Sequence, residues 1–387
     1  MQKKRNRRSY KIVLLFSILI LALMAGASSY IALKNTASTA TIKESIYPTL
    51  YSDDHITENA KIADPRFQSV AIADREDLVA SATLSLQTNK PLPDSTESEN
   101  GTWLWTPTLD ITPSYRNYII QNAKKNGIKN IYLSIDSYLD IFVMSDSPEK
   151  KRREKAFGEV LTSFIREANK NGITVDAEAG WRNWAEDGHV YKPLAILDYV
   201  IAFNKTHEEK FRGFQYDVEP YVLPYYQNNK KDVLRNYLKL VNETVTRLNN
   251  NDLAFSVVIP EFYDGAEGLT PRFFYAWNYS HAIDHLLRIL ERRPGSSIIV
   301  MSYRNFAEGE NGSIAISEDE IRKADRYKSK IIIAQETGDV EPPFITFHKT
   351  SRKLYNTQVT AIENAFTENK SYNGTATHYI NTFLELK

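Results

Sequence analysis

Cysteine is absent from this chain of 387 residues. Its absence excludes disulfides, thiolate nucleophiles, cysteine-ligated metal sites and a lipidated N-terminal cysteine. Net charge is also absent, because 48 Lys and Arg residues balance 48 Asp and Glu residues. A chain without net charge has no overall field that attracts polyanions, so nucleic acid is not predicted as a partner.

Several motifs of cofactor and catalytic sites are missing as well. No glycine-rich phosphate turn follows the first apolar run, and no nucleophile-elbow sequence supports Ser-His-Asp catalysis. His281 and His285 lie one helical turn apart, a spacing that metals use, but the glutamate of the HExxH motif is absent. The sequence therefore predicts no cofactor and no metal.

The N-terminus combines a basic flank with a long apolar run. Lys and Arg residues between positions 3 and 11 precede an apolar stretch from Ile12 to Leu33. About 20 apolar residues span a bilayer, and a basic flank stays in the cytoplasm. We expect residues 1–34 to be a signal anchor that makes the chain a single-pass protein of the cell membrane, with its remainder extracytoplasmic. Ala25-Gly26-Ala27 leaves cleavage of a signal peptide, and secretion, as the alternative.

Residues 35–101 have the composition of a stalk with minor secondary structure. Thr36–Thr41 is small and polar, and Asn89–Gly101 is rich in Pro, Ser, Asp and Glu, which is typical of a linker. The folded domain is therefore expected to cover residues 102–387.

From Thr102 onward, apolar runs alternate with stretches of helical periodicity. Continuous apolar runs separated by helices predict a parallel sheet covered on both faces. Eight runs in roughly 285 residues match an α/β protein of the (β/α)8-barrel type, typically about 250 residues long. No eighth helix follows the last run, so we expect part of residues 60–100 to pack there instead. The runs are Trp103–Thr106, Asn130–Ile135, Ile173–Ala177, Gly213–Val218, Leu253–Ile259, Ser297–Tyr303, Lys330–Ala334 and Thr375–Leu386.

The active sites of such barrels lie at the C-terminal ends of the strands. Carboxylates occur at five of the eight predicted strand ends, whereas scattered surface charge would fall mostly in helices and loops. This convergence predicts a functional site. The residues at these ends, in chain order, are Trp103 and Trp105, Asp136, Asp176 and Glu178, Asp217 and Glu219, Glu261, Tyr303 and Arg304, Gln335 and Glu336, and His378 and Tyr379.

The fourth predicted strand ends in two acids and a proline. Side chains alternate along a strand, so Gln215, Asp217 and Glu219 share one face. Two neighbouring carboxyls raise each other's pKa, which allows one of them to act as a proton donor. Trp181 and Trp184, just past the third strand, provide rings on which sugars can stack. Acids together with aromatics predict a polysaccharide or oligosaccharide as the partner.

Two short motifs carry a resemblance to a known family. Gly213–Glu219 resembles the fourth-strand signature DGxDxDxE of family 18 glycoside hydrolases, the chitinase-like barrels, and Met301-Ser302-Tyr303 is similar to their sixth-strand M-x-Y motif. The resemblance implies that Glu219 is the general acid. It also implies that Asp217 and Tyr303 bind the acetamide of an N-acetylhexosamine, which attacks the anomeric carbon in place of an enzyme nucleophile.

A second interpretation pairs Glu219 with Glu336. Many retaining glycosidases with this barrel carry an acid/base glutamate after strand four and a nucleophilic glutamate after strand seven, about 5–5.5 Å apart. Those enzymes usually have asparagine before the strand-four acid, where this chain has Val218. Both interpretations agree on Glu219 and differ in its partner.

Departures from the family pattern keep other functions open. Arg212, Gln215 and Arg304 stand where family 18 enzymes have aspartates. A non-catalytic carbohydrate-binding barrel is one alternative, and an envelope scaffold whose pocket is filled by a Glu219–Arg304 pair is another. The main expectation is an envelope-anchored, extracytoplasmic glycoside hydrolase acting on an N-acetylhexosamine-containing or cell-wall polysaccharide. The candidate substrate-binding residues are Asp136, Asp176, Glu178, Trp181, Trp184, Gln215, Tyr221, Glu261, Arg304 and Tyr379.

Overall fold

The structure, a computed structural model, describes residues 99–387. The predicted anchor and nearly all of the predicted stalk therefore lie outside the described residues. Within residues 99–387, no helix is both long enough and apolar enough to cross a membrane.

Eight parallel strands close into a barrel, which confirms the predicted architecture. Neighbours in the barrel follow chain order, and the last strand pairs with the first at Glu99↔Gly374 and Thr102↔Thr377. The barrel strands are β1 (Glu99–Leu104), β2 (Asn130–Ser134), β3 (Thr174–Ala179), β4 (Gly213–Tyr216), β5 (Ala254–Pro260), β8 (Ser297–Met301), β9 (Lys330–Glu336) and β10 (Tyr372–His378). The antiparallel hairpin of β6 (Phe273–Tyr275) and β7 (Asn278–Ser280) lies between β5 and β8 in the chain.

Helices connect the strands and begin where the sequence supplies caps. Thr112 and Ser147 accept backbone N–H groups with their hydroxyls, and each precedes a proline, whose fixed φ suits the first helical position. Ser351 caps a third helix in the same way, without the proline. The helices are α1 (Pro113–Lys125), α2 (Tyr138–Phe142), α3 (Pro148–Lys170), α4 (Tyr191–Thr206), α5 (Tyr226–Arg247), α6 (Ala282–Leu290), α7 (Ser313–Ala324), α8 (Arg352–Phe366) and α9 (Ile380–Glu385).

The two ends of the barrel sequence differ from the prediction. β1 begins at Glu99, inside the stretch expected to be a linker. The last predicted run is too long, because β10 ends at His378 and α9 follows it. This short helix packs against β1, β10 and α1, so the chain's own C-terminus takes the place that residues 60–100 were expected to fill.

The barrel interior changes character along its axis. Large apolar side chains fill the middle, where Trp103 and Tyr132 pack against residues such as Ile299 and Ile332. Toward the N-terminal ends of the strands, the buried carboxylate of Asp176 accepts hydrogen bonds from Arg212 Nε at 2.9 Å and Nη2 at 2.6 Å. Arg212 also pairs with Glu99. At this end of the barrel one guanidinium group is therefore shared by two buried carboxyl groups.

Candidate active site

Asp217 and Glu219 lie where β4 stops. The Asp217 N–H still donates to the Ala179 carbonyl of β3 at 3.0 Å, so the ladder continues one residue past the strand. Pro220 then begins a short 3-10 turn that redirects the chain. The Glu219 carboxylate accepts a hydrogen bond from the hydroxyl of Tyr221. Local sequence therefore fixes both acids at the C-terminal mouth of the barrel.

A cleft of about 310 Å³ opens over this pair. Its walls combine carboxylates, tryptophans and an imidazole. Trp105 and Trp181 are partly exposed there, so their rings are available to a ligand. The lining residues are Trp105, Glu178, Gly180, Trp181, Arg182, Asp217, Glu219, Val222 and His378.

Two more carboxyls from neighbouring strands surround Asp217. Glu178 ends the inward face of β3 and is fully buried, with neither oxygen in a hydrogen bond of normal geometry among the described residues. Asp136, after β2, accepts the Gly180 N–H at 3.3 Å. Burial raises the pKa of both groups well above the usual range, and the nearby charge of Asp217 raises each further. The site therefore holds protons that solvated acids would have lost at neutral pH.

The pKa of each of the two acids at the end of β4 is also raised. Burial, followed by repulsion from Glu219, raises the pKa of Asp217 to about 8, although His378 acts in the opposite direction. Burial also raises the pKa of Glu219, while the hydrogen bond from Tyr221 and the charge of His378 lower it. A carboxyl that keeps its proton near neutral pH suits a general acid.

Glu336, at the end of β9, is held at both oxygens. Its Oε1 accepts the N–H groups of Thr337 at 2.8 Å and Gly338 at 2.6 Å. Its Oε2 is 2.7 Å from Nδ1 of His378. The carboxylate is thus a fixed partner of the histidine.

His378, the last residue of β10, faces the acids from the opposite wall. Burial alone lowers its pKa, but the carboxylates of Glu336, Asp217 and Glu219 outweigh burial and raise it. Because Nδ1 of His378 contacts Glu336, Nε2 is the ring nitrogen that is available to a ligand in the cleft. The sequence predicts His378 at a strand end but no role for it, because its partner Glu336 is 42 residues away and only the pairing of β10 with β9 brings the two together.

Aromatic rings enclose the imidazole. The ring centroid of His378 lies 5.7 Å from that of Trp103, 5.8 Å from Trp105, 6.0 Å from Tyr303 and 5.4 Å from Tyr379. Burial, followed by the charge of Glu336, raises the pKa of the Tyr303 hydroxyl, so this group stays protonated and can donate a hydrogen bond.

The barrel fold is similar to that of several solved structures. An endo-β-1,4-mannanase from Thermotoga petrophila aligns with a TM-score of 0.50 at 12% identity, covering 74% of this chain and 69% of that one. A GH18 chitinase from Cycas revoluta bound to (GlcNAc)3 gives 0.45 at 10% identity, covering 74% and 96%. The spore cortex-lytic enzyme SleL of Bacillus megaterium QM B1551 gives 0.41 at 16%, covering 76% and 74%.

The chain shares its barrel fold with glycoside hydrolases. At these identities the similarity concerns the fold alone. No family model matches the chain, and no curated protein matches it in sequence. The resemblance to family 18 therefore rests on the two motifs at β4 and β8.

Within this barrel, several predicted site residues do not reach the cleft. Trp184 is 2% exposed and packs inside the loop after β3, so its ring is closed to a sugar. Gln215 is fully buried, accepting from Trp103 Nε1 at 2.7 Å and donating to Ser256 Oγ at 3.2 Å. Asp176 is occupied by Arg212, toward the other end of the barrel.

Arg304 and Glu261 pair with each other on the rim. The Arg304 Nη2 atom lies 3.7 Å from Glu261 Oε1, and its Nη1 donates to the Tyr303 carbonyl at 2.7 Å. The pairing of Glu219 with Arg304, expected for a filled pocket, is absent from the ion pairs of residues 99–387. The open cleft contradicts that part of the scaffold alternative.

Proposed function

We propose that the chain is a glycoside hydrolase acting on an N-acetylhexosamine-containing or cell-wall polysaccharide. The observation that carries the proposal is the pair Asp217 and Glu219, two acids whose pKa is raised by burial and which line one aromatic-walled cleft at the C-terminal mouth of the barrel. Catalysis in this fold belongs to that end. Trp105 and Trp181 supply the stacking surfaces that a sugar chain requires.

Glu219 acts as the general acid. It transfers its proton to the glycosidic oxygen as the bond from that oxygen to the anomeric carbon breaks. In the substrate-assisted route, the acetamide oxygen of the same sugar forms the new bond to the anomeric carbon. Water then attacks this carbon as the bond from the carbon to the acetamide oxygen breaks, and Glu219 accepts the water's proton, which restores the acid and the acetamide. Asp217 and the Tyr303 hydroxyl orient the acetamide during both steps.

The contacts of Glu336 favour this route over the two-glutamate route. The hydrogen bonds to Glu336 use both acceptor positions of Oε1 and one of Oε2, which leaves a single lone pair to attack an anomeric carbon. Glu178 and Asp136 also bring carboxyls to Asp217 from β3 and β2. These acids supply the charge coupling that Arg212 and Gln215, in place of aspartates, do not provide.

The location of the enzyme follows from residues 1–34 alone. Their basic flank and apolar run support a membrane anchor with the barrel outside the cytoplasm, where cell-wall polymers are found. Fractionation of cells expressing the full chain tests this part of the proposal: recovery of the barrel from the cytoplasm would contradict it.

The decisive experiment is Glu219→Gln, assayed by the release of reducing ends from chitin oligomers and from purified cell-wall polysaccharide. Removing a general acid lowers kcat by about 10²–10⁴-fold. Because the amide is isosteric, binding of the same oligomers should change little. Glu209→Gln is the matched control, since Glu209 pairs with Arg166 on the surface and should leave kcat unchanged.

Two results would contradict the proposal. Undiminished turnover by Glu219→Gln would remove Glu219 as the acid. Oligosaccharide binding by the unmodified chain without turnover of any of these polymers would favour the non-catalytic carbohydrate-binding barrel.

A further inference from the structure

A second concavity, which shares no lining residue with the cleft, lies between α5, α6 and the hairpin of β6 and β7. Its volume is about 320 Å³, similar to that of the cleft. We refer to it as the arginine pocket. Trp277, at the tip of the hairpin, is completely exposed and does not line it. The lining residues are Asn242, Tyr275, Ala276, Asn278, His285, Arg288, Ile289 and Arg292.

The arginine pocket carries positive charge without a matching acid. Arg288 and Arg292 both line it, and none of its lining residues is acidic. Burial lowers the pKa of His285, so this ring adds no charge at neutral pH. Two guanidinium groups on one cavity repel each other, and a bound anion would relieve that repulsion.

The acids nearest to these two arginines in the sequence have other partners. Asp284 Oδ2 lies 4.0 Å from Lys323 Nζ, and Glu291 Oε2 accepts the Lys328 N–H at 2.8 Å. In the part of the chain that the structure describes, neither arginine of the pocket forms an ion pair. Both guanidinium groups therefore lack a counter-charge within residues 99–387.

Arg292 is held in place by its own hydrogen bonds. Its Nη2 donates to Asn242 Oδ1 at 2.7 Å, and its Nε donates to the Ile289 carbonyl at 3.4 Å. Its Nη1 makes no hydrogen bond to any described residue, and neither does Asn242 Nδ2. A fixed guanidinium group with a free N–H donor suits the oxygens of a carboxylate or phosphate, and preorganisation reduces the entropy lost on binding.

The hairpin wall of the pocket is also fixed. The Tyr275 hydroxyl donates to the Leu238 carbonyl of α5 at 3.2 Å. On α6, His285 Nε2 lies 3.1 Å from the Phe273 carbonyl of β6. The two helices therefore hold the hairpin, so the pocket is formed before any ligand binds.

Amide groups on the walls suit a ligand that also carries hydroxyl groups. Asn278 Nδ2 donates to the Ala276 carbonyl at 2.9 Å, which leaves Asn278 Oδ1 as an acceptor. Asn242 Nδ2 is a donor on the opposite wall, from α5. Pockets that hold small ligands have volumes of about 300–1,000 Å³. This pocket is at the lower end of that range, which fits a ligand the size of one sugar.

We propose that the arginine pocket binds an oxyanion, a phosphate or carboxylate group carried on a small hydroxylated molecule. The anionic group pairs with Arg288 and Arg292, and the amides of Asn242 and Asn278 contact the hydroxyl groups beside it. The site is independent of the hydrolysis proposed for the cleft.

Titration calorimetry of the purified full-length chain with glucose 6-phosphate, glucuronate and glucose tests this site. The three probes share one sugar ring and differ in the group at C6. Saturable binding of one or both anions, weakened by added salt, is expected, and glucose should not bind. The preferred anion then identifies the ligand as a phosphate or a carboxylate.

Arg288→Gln and Arg292→Gln should each weaken binding of the preferred anion at least about tenfold, the effect of losing a charge-assisted hydrogen bond. Arg292→Lys keeps the charge without the planar group and should recover part of the binding. Arg322→Gln is the matched control, because Arg322 is exposed on α7 and pairs with Asp319 there. It removes the same charge and should leave binding unchanged.

Three results would overturn the proposal. The first is the absence of saturable binding for both anions, and the second is binding of glucose as tight as that of the anions. The third is equal weakening by Arg322→Gln and Arg292→Gln, which would assign the effect to overall charge. Glu219→Gln should bind the anion normally, so failure of the proposed cleavage and failure of this site are separate results.

Discussion

His378 brings positive charge to a site otherwise dominated by carboxyls. Glu336 fixes its Nδ1 atom, and the backbone N–H groups of Thr337 and Gly338 fix Glu336 in turn. The imidazole then lowers the pKa of both Asp217 and Glu219, against the larger effect of burial. Proton retention in the cleft is therefore a balance between these contributions.

Replacing His378 should shift that balance in a measurable direction. In His378→Gln the amide keeps a hydrogen-bond donor but loses the charge, so the pKa of Glu219 should rise. In the proposed mechanism Glu219 must be protonated to act as the acid, so the alkaline limb of the pH profile of kcat should move to higher pH.

The control for this shift is His348→Gln. His348 also pairs with an acid, since its Nδ1 lies 2.8 Å from Asp339 Oδ1, but neither residue lines the cleft. Its profile should match that of the unmodified enzyme. An alkaline limb that stays in place, or moves to lower pH, in His378→Gln would contradict the assigned role.

Strand parity predicts the positions of Glu178, at the end of β3, and of Asp217 and Glu219, just past β4, and the structure places all three in one cleft. Their roles stay predictions. Trp184 shows the limit, because the course of the loop after β3 determines which of its tryptophans is buried. The partnership of Glu336 with His378 depends on the register between β9 and β10, which no local pattern encodes.

At the scale of elements, the close approach of β3 and β4 decides the shape of the cleft. Gly180 follows β3, and a Cβ atom built on it would lie 2.0 Å from the carbonyl oxygen of Asp217. This neighbour is backbone, so it cannot rotate away. The glycine is what allows the end of β3 to lie against the chain segment that carries the acids.

Gly180→Ala should therefore damage both stability and activity. Separating the two chain segments costs about 1–3 kcal/mol, as overpacking in a core typically does, and it displaces Asp217. The free energy of unfolding in urea and kcat should fall together.

Gly158→Ala provides a contrasting variant. Gly158 lies inside α3 with its nearest neighbour 3.7 Å from the added Cβ, so alanine should stabilise the helix by about 0.5–1 kcal/mol. If Gly180→Ala and Gly158→Ala had the same free energy of unfolding, the backbone around Gly180 would have to move away from the added Cβ atom at no cost in stability.

Long amphipathic elements were predictable, and short or polar ones were not. Helix α3, at Pro148–Lys170, occupies the long stretch of helical periodicity between the second and third predicted runs. The first half of β1, Glu99-Asn100-Gly101, has no apolar residue and lies in the stretch whose composition predicts a linker. The hairpin of β6 and β7 gives no signal in the sequence because its strands have three residues each, too few to show alternation.

Across the whole molecule, the buried acids at the two ends of the barrel differ in their partners. At one end, Arg212 forms ion pairs with both Asp176 and Glu99, although burial still raises the pKa of Glu99. At the other end, the pKa of Asp136, Glu178, Asp217 and Glu219 is raised because burial and mutual repulsion exceed any compensation. The native barrel thus binds protons that the unfolded chain releases.

Stability should consequently fall as the pH rises. The pKa of an aspartate in an unfolded chain is about 4. In the folded chain, the pKa of Asp217 is about 8. Between these values the native state holds more protons, so each such group lowers the free energy of unfolding by about 1.4 kcal/mol per pH unit. Asp217→Asn should make the dependence shallower between pH 5 and pH 8.

Urea unfolding of the unmodified chain and of Asp217→Asn at several pH values checks this slope. Asp232→Asn is the control, because Asp232 is exposed on α5 and pairs with Arg235 at the surface. Identical slopes for all three proteins would mean that Asp217 loses its proton at the same pH in both states.

The exposed indole of Trp277 also has a spectroscopic consequence. The chain has five tryptophans, and the other four lie in the barrel or along its cleft, buried or partly buried. Trp277, between β6 and β7, is completely exposed, so a soluble quencher such as acrylamide should reach it first. The molecule thus carries a native fluorescent reporter of its outer surface, which can be read while the cleft is occupied or empty.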